Sequence, residues 1–407
     1  MSEVEPGHRS AWLVVDLVSI RHNLATIRSL AGATALAPVV KAVAYGHGRE
    51  AVVDALVDLV DAFCVATLDE ALAVRRQAPT TRVLLLYPVP QDALGEAFAA
   101  DIELTVMSRA DLDAVWRSQL VRHGRIAVHL CLETGMGRGG LSPAELLDVV
   151  REAASDARIR LAGLWSHLAS PEDAEASRRQ VARFDEAVAA LAERGVPLPS
   201  RHLAATGGLF AGTAPRLDLV RPGLAVYGML GEGLPIAEHA REAAATLRPA
   251  MSLKARPVAI SEVAAGEGVG YGSLWRAERP SRVAILPLGY ADGYLRGAQP
   301  GAHALVRGRR APLVGAISMD ALAVDVSAVP GVGLADEFVL LGRQGDQIIE
   351  TGELARARNT IAWEVLSGMA PRLARVYHRP AGTVREATAG AVPETGGRSL
   401  GSGSRGP

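Results

Sequence analysis

The chain has 407 residues, 49% of them hydrophobic, which is enough to bury a large core and to form two domains. Its net charge of −1, mixed in sign along the chain, offers no field for nucleic acid or an anionic membrane. Its two cysteines, Cys64 and Cys131, lie in apolar runs without CxxC spacing, so neither a disulfide framework nor a metal site is expected.

Residues 1–10 are polar, and the apolar run after them stops at Asp16, too short for a signal peptide or a membrane span. The expected location is the cytoplasm. From residue 12 to about 230, apolar runs at 12–17, 36–44, 62–68, 82–87, 102–107, 126–132, 161–167, 202–206 and 217–227 alternate with helical patterns such as 68–76 and 177–194. Strands apolar on both faces, each followed by a helix, are the pattern of a parallel sheet. About eight such units in this length favour a closed barrel over an open sheet. Past residue 240, runs at 255–261, 282–288, 302–306, 313–317, 322–326 and 337–341 are broken by Gly, Pro and Asp, with one helix over 352–358 and another from Thr360. The expected fold is therefore α/β: a (β/α)8 TIM barrel over 11–240 and a mostly β carboxy-terminal domain over 241–380. A Gly/Ser-rich tail over 381–407 is expected to be disordered.

The chain holds only two lysines, Lys41 and Lys254, against 41 arginines. Lys41 lies in an apolar, β-branched run over 37–44 that reads as a buried strand opening into the loop Tyr45-Gly46-His47-Gly48. Burial lowers the proton affinity of an amine and frees it as a nucleophile, the chemistry of a Schiff-base lysine. A strand-end lysine that snorkels to water is the competing reading of this stretch alone. In a (β/α)8 barrel, reactive groups gather where strands end. Besides Lys41 and Tyr45, the strand ends carry Glu133-Thr134-Gly135-Met136-Gly137-Arg138, whose arginine can fork a carboxylate, and His167. Thr206-Gly207-Gly208 and Arg221-Pro222-Gly223-Leu224 follow the last two strands, where this fold commonly holds phosphate.

The motif Val40-Lys41-Ala42-Val43-Ala44-Tyr45-Gly46-His47-Gly48 resembles that of the alanine racemases of fold type III, which depend on pyridoxal 5′-phosphate (PLP). The segments 65–71, 133–138, 165–167, 220–224, 270–272, 287–293 and 318–320 match in the same order, so the resemblance spans 11–377. It implies that Lys41 holds PLP covalently, and that Lys41 and Tyr271 act as the two bases of a racemase working on alanine for peptidoglycan. Tyr271 would come from the partner subunit of a homodimer with shared active sites. His167 and Arg221 would stabilise its anion, with Arg221 also facing the pyridine nitrogen. Tyr45, Thr206, Gly223 and Leu224 would hold the phosphate with Trp363 nearby, and Arg138 and the Met319 amide the substrate carboxylate. Tyr290 and Asp320 would line the substrate side of the site.

Several positions depart from the pattern of that family. Its carbamylated lysine is Cys131, its acidic or amide residue after Lys-Ala is Val43, its Asn-Ser pair is Ala205-Thr206, and its Asn-Tyr-Glu tyrosine is Trp363. Trp363 keeps an aromatic wall without a hydroxyl. A paralogue acting on another amino acid, a fold-type III lyase, and a non-enzymatic PLP carrier are the alternatives.

Overall fold

The structure, a computed structural model, describes residues 9–118, 125–196, 200–298 and 301–379. The expected tail over 381–407 lies outside the described residues. Among these residues, eight short parallel strands make a closed ring: β2 (Ala35–Leu36), β3 (Ala62–Val65), β4 (Arg82–Leu85), β5 (Leu104–Val106), β6 (Ile126–Cys131), β7 (Ile159–Trp165), β8 (Ser200–His202) and β9 (Leu219–Val220). The runs β3–β4 and β5–β6–β7–β8 are paired in parallel. Single bridges Val39–Cys64, Leu84–Glu103 and Ala205–Arg221 join the remaining neighbours, and β9 returns to β2. The strands read as continuous apolar runs because both faces are covered: β3 and β6 are buried at every position.

The strand β1 (Ala11–Asp16) precedes the barrel in sequence but joins the second sheet. It pairs antiparallel with β10 (Met251–Ala255) and parallel with the last strand, Ala374–His378. That sheet of ten strands, otherwise built from residues after 250, forms the mostly β carboxy-terminal part. Asp16 ends β1 by capping the following helix Leu17–Ala31, its carboxylate accepting from the Val18 and Ser19 amides at 3.0 and 3.2 Å. The first barrel helix and the second sheet are thus fixed to each other at one residue. Two helices, Thr351–Ala357 and Ala362–Ser367, precede the last strand of the sheet and reach back over the barrel mouth. No helix among the described residues is long and apolar enough to cross a membrane.

The expected strand over 36–44 is much shorter. After the Val39 bridge, residues Lys41–Tyr45 coil into a turn in which Ala42, Val43, Ala44 and Tyr45 all have φ between 51° and 56°. Four successive non-glycine residues in a left-handed conformation cost roughly 1–2 kcal/mol each, and nothing in Ala-Val-Ala-Tyr announces them. The surroundings supply the compensation. Glu70 accepts the Ala42 amide at 2.6 Å, and His47 Nδ1 lies 3.0 and 2.9 Å from the Ala44 and Tyr45 carbonyls. The Arg375 guanidinium donates to the Gly46 carbonyl at 2.8 Å.

Candidate active site

A cavity of about 1020 Å³ opens at the carboxy-terminal ends of the barrel strands, lined by Lys41, Tyr45, Arg138, His167, Thr206, Arg221, Gly223, Leu224 and Trp363 among others. The left-handed turn delivers Lys41 to this cavity, while Lys254 lies outside it on β10, paired with Glu337 at 2.8 Å. Burial, followed by the nearby Arg138 guanidinium, holds the Lys41 amine below its ordinary proton affinity, with Glu70 opposing. A neutral amine is the form that attacks a carbonyl carbon.

One end of the cavity is an oxygen- and amide-rich cradle. Thr206, at the start of the helix Thr206–Ala211, accepts the Gly223 and Ala225 amides on Oγ1 at 3.0 and 3.3 Å. The Tyr45 hydroxyl comes so close to Gly223 that a Cβ there would stand 2.7 Å from it, so glycine is what admits the phenol. Tyr45 is held from behind by stacking on Tyr227 at 4.9 Å, and the Tyr227 hydroxyl donates to the Val39 carbonyl at 2.9 Å.

The floor is cationic but finely directed. Arg221 is fully buried, and its Nη1 and Nη2 donate to the His202 ring and to the carbonyls of His202 (3.0 Å), Ser166 (2.7 Å) and Leu203 (3.4 Å). The guanidinium also lies 4.9 Å over the Trp165 ring. Those bonds use the terminal nitrogens, and Nε is the guanidinium nitrogen with no protein partner among the described residues. Burial lowers the pKa of Arg221 to about 10, which still leaves it charged at neutral pH. His167 is pushed down to about 3 by burial and then by the cations Arg221, Arg138 and Lys41, so its imidazole is neutral.

Arg138 ends a loop braced by Thr134, whose hydroxyl meets Ser166 at 2.8 Å and Gln180 at 3.0 Å. Its guanidinium lies 5.9 Å over the Tyr87 ring and takes no protein hydrogen bond among the described residues, so its fork of donors is free for a ligand carboxylate. Glu133 does not orient it: both carboxylate oxygens are spent on the Gly135 and Gly137 amides at 2.5 and 2.9 Å. Cys131 is buried beside it with its thiol pushed up to about 12 by desolvation, so it is neutral and cannot anchor the arginine either. Tyr87 is the residue that stands in, and the sequence reading missed it.

Residues 15–231 match the family model for the alanine racemase, N-terminal domain, and residues 250–377 that for the alanine racemase, C-terminal domain. The alanine racemase of Sorangium cellulosum is 36% identical over 380 residues, 90% of this chain and 98% of that protein. That of Symbiobacterium thermophilum is 35% identical over 379 residues, 91% and 98%. Two crystal structures superpose over nearly the whole chain. The biosynthetic alanine racemase from Pseudomonas aeruginosa has a TM-score of 0.80 at 36% identity, covering 91% of this chain and 100% of its own. The alanine racemase from Bacillus anthracis with bound L-Ala-P has a TM-score of 0.84 at 30% identity, covering 94% and 98%.

The chain belongs to the alanine racemase family.

Within this racemase fold, the cavity gathers every residue expected on the cofactor side and Arg138. Tyr271, Tyr290, Met319 and Asp320 are absent from its lining. Tyr271 is 78% exposed on a short turn of the second domain. Tyr290 and Met319 sit on adjoining loops, joined where the Tyr290 amide donates to Ser318 at 3.0 Å and the Ala291 amide to Met319 at 3.1 Å. Asp320 pairs with Arg372 at 2.7 Å. No hydrogen bond joins Arg221 to His167. The partner of Arg221 is His202, whose only signal in the sequence was a histidine at the start of the apolar run 202–206. Trp363 closes the mouth, its ring against Gly231.

Proposed function

We propose that this chain is a PLP-dependent racemase that interconverts L- and D-alanine, with two bases drawn from two subunits of a homodimer. The observation that carries this reading is the division of the site: a half-buried lysine in a cradle-lined cavity on one domain, and an exposed phenol on the other. The cavity suits a phosphorylated pyridine aldehyde. Thr206, Gly223, Leu224 and Tyr45 would hold its phosphate, Lys41 its carbonyl carbon, and the unpartnered Nε–H of Arg221 its ring nitrogen. When bound, that group withdraws electrons from the amino-acid Cα and makes its hydrogen acidic.

The rest follows from the chain's own groups. Arg138 would fix the substrate carboxylate in the cavity, with the Met319 amide, Tyr290 and Asp320 completing that wall from the partner. This fixes which hydrogen faces which base. Lys41, its proton affinity lowered, takes or returns the Cα proton on one face. The partner subunit's Tyr271 does so on the other. Arginine does not surrender its proton, so Arg221 would face the ring nitrogen as a donor and leave it unprotonated, which would restrain electron withdrawal and favour return of the proton to Cα. Trp363 stands at the mouth, where its ring would form an aromatic wall beside the substrate side chain. Residues 11–240 would form the cofactor-binding unit and 241–380 the unit that presents Tyr271, acting in the cytoplasm.

Purified protein is expected to show a visible absorption band that borohydride removes and that Lys41→Ala lacks. Incubating single enantiomers of the common amino acids in heavy water tests the reaction. Deuterium at Cα with inversion, largest for alanine, is expected. Exchange with retention, or loss of carbon dioxide, would instead place the chain with the lyases, and inversion of a bulkier amino acid would make it a paralogue shaped by Trp363.

A further inference from the structure

Arg221 is a buried cation with no carboxylate in contact, yet a chain of hydrogen bonds leads from it to one. Its Nη1 donates to His202 Nδ1; His202 Nε2 lies 2.9 Å from His129 Nδ1; His129 Nε2 lies 2.9 Å from Glu103 Oε2. The two ends fix the direction of every proton between them. Arginine only donates, so His202 Nδ1 accepts; a neutral imidazole then carries its hydrogen on Nε2 and donates it to His129 Nδ1. His129 in turn holds its hydrogen on Nε2 and gives it to a carboxylate that only accepts. Both imidazoles are fully buried and held below their ordinary pKa, first by desolvation, in keeping with this neutral pair.

The carboxylate end is itself immobilised. Glu103 is 4% exposed and takes Arg82 through two bonds of 2.9 Å and Arg160 at 3.3 Å. The chain therefore crosses the barrel interior, from the edge of β5 through β6 and β8 to the end of β9. The intervening β7 clears its path, because a Cβ on Gly163 would overlap the His129 ring. Trp165 at the end of β7 lies parallel to His202, 5.9 Å away and 3° off plane.

We infer that Glu103 and His129 are positioning residues for Arg221: they set the tautomer of His202, and that tautomer keeps the guanidinium turned with Nε–H toward the cavity. The tautomer claim concerns the protein alone, whereas its consequence for the ring nitrogen rests on the function proposed above. A merely structural network would be indifferent to which nitrogen of His202 bears the hydrogen.

Nitrogen NMR of histidine-labelled protein, with and without PLP, tests this. In the wild type both His129 and His202 are expected as neutral Nε2–H tautomers. Hydrogen on Nδ1 of His202, or a charged imidazolium at either site, overturns the inference without any variant being made. Glu103→Leu is expected to convert His202 to a mixture of tautomers, and Glu103→Gln, which keeps an acceptor oxygen, to restore the single form. Arg82→Met should lower the melting temperature while leaving the His202 tautomer as it was. An unchanged His202 tautomer in Glu103→Leu contradicts the relay. In the loaded enzyme, Glu103→Leu should lower kcat about tenfold with KM little altered, in line with loss of an outer hydrogen-bond partner; an unchanged kcat contradicts the positioning role. If the tautomers behave as stated but the wild type neither binds PLP nor racemises, the proposed function fails and the relay stands.

Discussion

Val43 shows how a single residue can oppose the site it serves. It is 41% exposed, makes little core contact, and holds a β-branched side chain at φ 56° two residues after Lys41. Asparagine tolerates that conformation better than any β-branched residue. Val43→Asn is therefore expected to stabilise the protein by about 1 kcal/mol, read as a higher urea midpoint, without loss of the borohydride-sensitive band. A lower midpoint would mean that the surrounding bonds, not the backbone, dominate the energy of this turn. Lys41 itself was legible in the sequence because lysine is so scarce in this chain. The turn was not, since its supports are Glu70, His47, Tyr227 and Arg375, set by the tertiary fold and not by local propensity. Arg138 teaches the complementary lesson: the missing carbamate position was readable at Cys131, but its substitute, the face of Tyr87, was distant in sequence. Tyr87→Leu should raise the KM for alanine about two- to fivefold with kcat nearly unchanged, the value of one exposed cation–π contact.

The loops proposed to present the substrate side act as one element. Asp292, fully buried in its side chain, accepts Arg9 and Arg372 at 2.7 Å each and the Gly289 amide at 3.0 Å. Desolvation opposes its charge, but these three donors hold the carboxyl below its ordinary pKa. Arg372 also grips Asp320, so the loop of Tyr290 and the loop of Met319 are clamped to the end of the chain's second sheet. Asp292→Asn is expected to cost about 2 kcal/mol of stability, the value of hydrogen bonds to a charged group, and to raise KM through looser loops. Thermal denaturation and steady-state kinetics read the two effects. The motifs 287–293 and 318–320 were visible in the sequence, and Asp320 was picked out. The clamp was not visible, because one of its arms, Arg9, comes from a polar segment with no pattern of its own.

For the molecule as a whole, the alternation of apolar runs and helices was enough to read a closed barrel followed by a β-rich part, since strands covered on both faces leave that mark. The place of β1 on the second sheet follows from the family resemblance and not from order along the chain, since it is decided by pairing with strands some 240 and 360 residues away. The buried histidines give the whole fold a common pH response. His47 is pushed down to about 4 by burial and His167 to about 3, against about 6.5 for an exposed imidazole. Between those values the unfolded chain binds protons that the folded chain refuses, so stability rises with pH there and is lost on acidification below 6.5. From pH 7.5 to 5 the loss should be on the order of 2 kcal/mol for each of the two, and His47→Gln should remove part of that slope in urea titrations. A midpoint that is flat across this range would show that the folded protein takes up those protons.

The measurement closest to the heart of the proposed chemistry uses two dead variants. Lys41→Ala and Tyr271→Phe, each inactive alone as homodimers, are co-expressed and assayed for alanine racemisation. If each site draws its amine from one subunit and its phenol from the other, mixed dimers contain one intact site, and activity should return to about a quarter of wild type. Purified mixed dimers with no activity would contradict a site shared in this way.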